Sequence, residues 1–174
     1  EASAMTDARF SPFETLLDQG RALAILREAV AGGDDGELFL ERRRSEALMF
    51  DDGRLRTASY DASEGFGLRA IRGEVSGYAH ATEISEAALR RAAETARLAV
   101  GQGGGTMAPP PPGTNLKFYA DADPMADATF GVKVETLREI DAFARALDPR
   151  VVQVSATIAA SLQEVFILRP EGGL

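Results

Sequence analysis

Few residues in this chain could do chemistry: one histidine (His80), no cysteine, and several adjacent carboxylates. Without cysteine there is no thiol nucleophile, no disulfide framework and no zinc finger. A Ser-His-Asp relay would have to use His80 as its base. That residue ends a predicted strand beside Tyr78, where a structural or exposed role suits it better. Zinc signatures of the His-Glu-x-x-His type need two histidines and cannot be written here. Neither a Gly-x-Ser-x-Gly elbow nor a Gly-Lys-Ser/Thr phosphate loop occurs. Gly65-x-Gly67 lacks the third glycine of a dinucleotide fingerprint, and a strand follows it instead of a helix. These glycines read as close packing in a twisted sheet.

Paired carboxylates stand at Asp34-Asp35, Asp51-Asp52 and Asp121/Asp123, all in turn-like segments that turn chemistry explains. An enzyme working through carboxylates alone would need Asp51, Asp52, Asp121 and Asp123 to converge. Arg42-Arg43-Arg44 is the one basic cluster; on a strand, alternate arginines face opposite sides, which suggests a solvated, edge-protecting role. The residues by themselves therefore point to a binding, assembly or scaffold domain.

Composition narrows the setting. The chain has 174 residues, 19 basic and 27 acidic, for a net charge of −8. Such a balance argues against nucleic acid, which calls for a dense basic surface. No apolar run reaches the roughly 18 residues that a membrane span needs. At this length roughly 70% of the unfolded chain's surface can be buried, enough for one core. Residues 1–10 are expected to be a disordered or extraneous N-terminus, with Met5 resembling a natural start. No basic-then-apolar leader is visible, so the cytoplasm is the expected compartment.

The elements that must position these residues follow from local pattern. Ser11-Pro12-Phe13-Glu14 reads as a capping box opening a helix that Gly20 breaks or bends, and a second helix runs to Gly32-Gly33. Residues 37–50 alternate as a strand, Asp51-Asp52-Gly53 reverses the chain, and the return strand runs over 55–60. A second hairpin takes 65–71, turns at Arg72-Gly73-Glu74 and returns over 75–80. Ser85 caps an alanine-rich helix to Val100. A Gly/Pro segment, 101–114, reads as a loop and is followed by a short strand, Leu116 to Tyr119. A helix from about 132 to 147 and strands over 151–158 and 162–168, with a turn at Ala159-Ala160-Ser161, complete the chain. The run Val165-Phe166-Ile167-Leu168 looks like a strand covered on both faces and is the candidate interaction segment. The turn after it suggests a further strand, and so a chain that is the front portion of something longer. The fold class is α+β, with antiparallel hairpins packed against helices.

The stretch Gly65-Phe66-Gly67-Leu68-Arg69-Ala70-Ile71-Arg72-Gly73-Glu74-Val75-Ser76-Gly77-Tyr78-Ala79-His80-Ala81 resembles the N-terminal domain of the TldD/PmbA family. There a Gly-x-Gly-x-Arg hairpin leads to a Gly-Glu turn and a Gly-aromatic-Ala strand. The preceding hairpin, the helix 85–100 and the tail from Arg150 to Gly172 fit the same order, over 11–174. The resemblance implies an α+β front domain with a repeated strand-and-helix unit. It implies a cytoplasmic metalloprotease acting on unstructured peptides, once labelled a modulator of DNA gyrase. Zinc in that family sits on a His-Glu-x-x-x-His motif of a C-terminal catalytic domain, which is absent here. The implied partners are that missing domain, a TldE/PmbA-like or identical subunit, and a peptide substrate. No catalytic, metal-binding or cofactor position carries over to this chain. The alternative is a stand-alone interaction or regulatory module that binds a partner through an open sheet edge.

Overall fold

A computed structural model of the chain describes residues 9–101 and 122–172. The elements are α1 (Pro12–Thr15), α2 (Gln19–Ala29), β1 (Asp35–Asp51), β2 (Arg54–Arg72), β3 (Val75–Ala81), α3 (Glu86–Val100), α4 (Phe130–Leu147) and β4 (Ser155–Leu168). The four strands form one sheet in the order β3-β2-β1-β4, and the fold is α+β.

Turn chemistry dictates the strand reversals. Asp52 and Gly53 both take positive φ, 49° and 73°, which is the type I′ pattern between β1 and β2. Gly73 alone takes positive φ, 60°, at the first central position between β2 and β3, as a II′ turn requires. From there β2 and β3 pair antiparallel, Arg72 opposite Val75 through Phe66 opposite Ala81. The Asp52 N–H donates to the Val154 carbonyl at 2.9 Å, so β4 starts where β1 ends and runs antiparallel to it.

The described residues fall into two compact units. One takes 9–42, 63–101 and 164–172; the other takes 43–62 and 122–163. The first unit buries Phe10, Ile25, Leu26, Leu38, Leu40, Leu68, Leu89 and Leu168 between the sheet and helices α2 and α3. Alanines 88, 92, 93 and 96 keep α3 thin enough to lie close on β3. Asp18 caps α2 by accepting from the Arg21 N–H at 2.8 Å, and Ser85 caps α3 from the Ala88 N–H at 3.2 Å. The second unit has a smaller core of Leu48, Phe50 and Leu137, edged by Leu55, Val134, Ala156 and Ile158.

Several expectations change. Ser11 makes no side-chain cap, and Gly20 lies inside the first turn of α2; the break falls at Leu16–Asp18, because Asp18 supplies the cap. The return strand and the start of the second hairpin are one strand, β2, of 19 residues. Residues 56–64 are exposed throughout, so no apolar alternation marks the join. Ala159-Ala160-Ser161 continues β4 instead of turning, and 151–154 precede the strand. The expected strand 116–119 and nearly all of the Gly/Pro loop lie outside the described residues.

Candidate functional site

In the first unit, strand alternation divides Val165-Phe166-Ile167-Leu168 into two pairs. Leu168 is fully buried, and the Phe166 ring meets Phe10 and Phe13 edge-on at 5.9 and 6.3 Å. Val165 and Ile167 are 40% and 39% exposed. The run is therefore covered on one face by its own core, and of its four side chains only those of Val165 and Ile167 are exposed. Its apolar character on both faces is what made it look doubly covered.

The face of this unit turned away from its helices carries the residues that alternate with the core. Phe39, Gly65, Gly67, Tyr78 and His80 line a shallow groove of about 270 Å³, with Glu41 and Glu64 at its margin. Gly67 is open because the Tyr78 ring occupies the space: a Cβ there would stand 2.6 Å from the tyrosine Oη. Tyr78 in turn lies against the His80 ring, centroids 5.7 Å apart. His80 is thus an exposed ring on a strand, stacked beside Tyr78. Glu37 holds Arg69 at 3.0 Å and Arg169 at 3.8 Å.

The arginine cluster has three separate fates. Arg42 pairs with Glu64 at 3.2 Å and lies over the Phe10 ring at 4.9 Å. Arg43 is exposed. Arg44 is buried and reaches Asp123 at 2.8 Å within the second unit. Since β1 is an interior strand, none of them guards an edge.

The second unit concentrates charge beneath α4. Lys133 donates to the Glu46 carboxylate and to the Met125 carbonyl at 3.0 Å. Arg145 joins Asp141 at 3.0 Å and also Asp52. Asp51 accepts from Ser155 at 2.5 Å and from Gln153 at 3.0 Å, and these hydrogen bonds hold its pKa below the ordinary carboxylate value. Asp51, Asp52 and Asp123 are each committed to a structural partner; Asp121 lies outside the described residues. Among the described residues, no group of three or more His, Cys, Asp or Glu could hold a metal ion. No described helix is long and apolar enough to cross a membrane.

Sequence reasoning missed the groove and a second apolar stripe on α4. Val132, Ile140, Phe143 and Leu147 are all exposed, beside the buried Leu137. The stripe was present in the helical spacing of residues 132–147.

Residues 36–100 match the family described as PmbA/TldA metallopeptidase domain 1. The chain is 30% identical to the metalloprotease TldD homolog of Buchnera aphidicola subsp. Schizaphis graminum over 142 residues, 81% of this chain and 29% of that one. With the metalloprotease TldD homolog of Haemophilus influenzae it shares 31% identity over 144 residues, 81% and 30% of the two chains. The chain thus spans under a third of the length of the curated relatives it matches. Among solved structures, a Thermotoga maritima chain described as a modulator of DNA gyrase superposes with a TM-score of 0.67 at 13% identity, over 90% of this chain and 36% of that one. TldE from Thermococcus kodakarensis gives 0.62 at 17%, over 84% and 34%. At these identities the structures speak for the fold alone.

Proposed function

This chain belongs to the TldD/PmbA family, and from that premise we propose that it is the N-terminal domain of a TldD-like zinc metalloprotease acting on unstructured peptides in the cytoplasm. The observation that carries the reading is the alignment with TldD homologues, which takes in 81% of this chain but only 29% of theirs. The domain's part is architectural: it shapes the surroundings of an active site carried on the C-terminal portion and contacts a TldE/PmbA-like or identical subunit. Val165 and Ile167 are the side chains we assign to such a contact.

Zinc does not fit the donors at hand. The sole histidine lies against Tyr78, cysteine is lacking, and Glu46, Asp51, Asp52, Asp123 and Asp141 already hold serine, glutamine, lysine or arginine. On this reading the metal and the hydrolytic step belong to the longer protein. The test is a peptidase assay on the longer protein beside the 174-residue domain, with an unstructured peptide. Cleavage by the former alone supports the reading, and cleavage by the isolated domain overturns it.

A second reading, a free-standing module binding through a sheet edge, is favoured by one observation: β4 is 14 residues long and, among the described residues, bounds the sheet. A native product of this chain's own length, with no longer form, would support it.

A further inference from the structure

We propose that the exposed flank of α4 formed by Val132, Thr136, Ile140, Phe143 and Leu147 is the seat of the C-terminal portion of the same polypeptide. The inference rests on the reading above, that this chain is the front domain of a longer protein, and it adds the face on which the two portions meet.

The helix is mounted on its unit mainly by charge. Of the three residues that α4 buries, Lys133 and Asp141 are charged and only Leu137 is apolar. Lys133 donates to the Glu46 carboxylate and to the Met125 carbonyl. One turn past Asp141, Arg145 joins that residue to Asp52 and donates to the Val152 carbonyl at 3.3 Å. Ion pairs at both ends of the buried line thus fix the roll of the helix about its axis.

That roll leaves the apolar residues outside. At about 100° per residue, positions 132, 136, 140, 143 and 147 make one stripe, roughly 100° round the helix from the line 133-137-141. All five residues are exposed, Phe143 at 67% and Leu147 at 69%. Turning the stripe inward would break the pairs of Lys133 and Arg145 and strand their charges. A contiguous apolar surface held outward in this way marks an interaction face.

Size and length together select the occupant. Stable complexes between separate chains bury about 1,600 Å² in total, with roughly 20–30 residues a side. One flank of one helix falls well short of that. Domains joined in one chain meet over about 600–1,500 Å², because the linkage supplies a high effective concentration. The matched TldD homologues place only 29% and 30% of their length on this chain, so on the proposed function most of the longer protein remains to cover the flank.

The test uses cysteine labelling, read by mass spectrometry at the named residue, since this chain has no cysteine of its own. Thr136→Cys lies within the stripe, and Arg138→Cys lies on the opposite flank of the same helix, exposed. In the 174-residue domain both should react quickly with a maleimide. In the longer protein, Thr136→Cys should react at least tenfold more slowly and Arg138→Cys at an unchanged rate. Adding Phe143→Asp should restore fast labelling at 136. A photo-reactive benzoylphenylalanine in place of Phe143 should cross-link within one chain, to residues beyond 174.

Fast labelling at 136 in the longer protein overturns the docking, as does slow labelling already in the isolated domain. Equal slowing at 136 and 138, or a cross-linked product with the mass of two chains, overturns it too. Peptidase activity is read separately: a longer protein that cleaves an unstructured peptide while 136 labels freely removes the docking and leaves the functional reading standing.

Discussion

Gly77 of β3 lies directly under Ala96 of α3. A Cβ on Gly77 would collide with the Ala96 carbonyl oxygen and stand 2.9 Å from its carbonyl carbon. The helix can sit this close to the sheet only because Gly77 has no side chain and its next neighbour on the helix, Ala99, has only a methyl group. Gly67 is also filled from outside, but by the end of the exposed Tyr78 side chain, which can swing away.

These two glycines should respond differently to the same change. Gly77→Ala forces backbone against backbone and should destabilise the fold by about 3 kcal/mol or more. Gly67→Ala displaces only a mobile ring and should cost roughly 1 kcal/mol or less. Urea unfolding of both variants checks the contrast; equal costs would mean that α3 is free to shift off β3.

The ion pair between Lys133 and Glu46 is nearly closed to solvent, with side-chain exposures of 9% and 16%. Glu46→Ala should cost about 3 kcal/mol, because it leaves an ammonium buried without its counter-charge. The double change Glu46→Leu with Lys133→Met should recover most of that loss, since apolar pairs of similar volume often replace a buried ion pair at little cost. Chemical denaturation of the single and double variants gives the answer, and a double variant as unstable as the single one would be contrary to it.

Acid should act through Asp51. Its hydrogen bonds from Ser155 and Gln153 lower its pKa in the folded state, so its contribution is present above the unfolded value near 4 and fades as pH falls. The difference in urea midpoint between the parent and Asp51→Asn should therefore be larger at pH 7 than at pH 3. A difference that does not change with pH would remove the carboxylate from the account.

Much of the architecture could be read from local rules. Asp52-Gly53 and Gly73 announced both hairpin turns, Ser85 announced α3, and the helical spacing from Val134 to Ala144 announced α4. The long-range decisions could not be read in this way. Lys133 finds Glu46 across 87 positions and Arg44 finds Asp123 across 79, and no spacing rule connects such residues. The continuity of β2 was hidden because residues 56–64 pack on nothing that would select apolar side chains. At the candidate contact, apolarity marked all four residues from Val165 to Leu168, and only the pleat decides that two of them belong to the core.

On the function proposed above, this domain builds and joins while the metal chemistry sits on other polypeptide. Measuring bound zinc per chain by atomic absorption, for the 174-residue domain and the longer protein purified side by side, tests it most directly. The account predicts about one zinc for the longer chain and essentially none for the domain; a stoichiometric zinc that stays with the isolated domain through dialysis would contradict it.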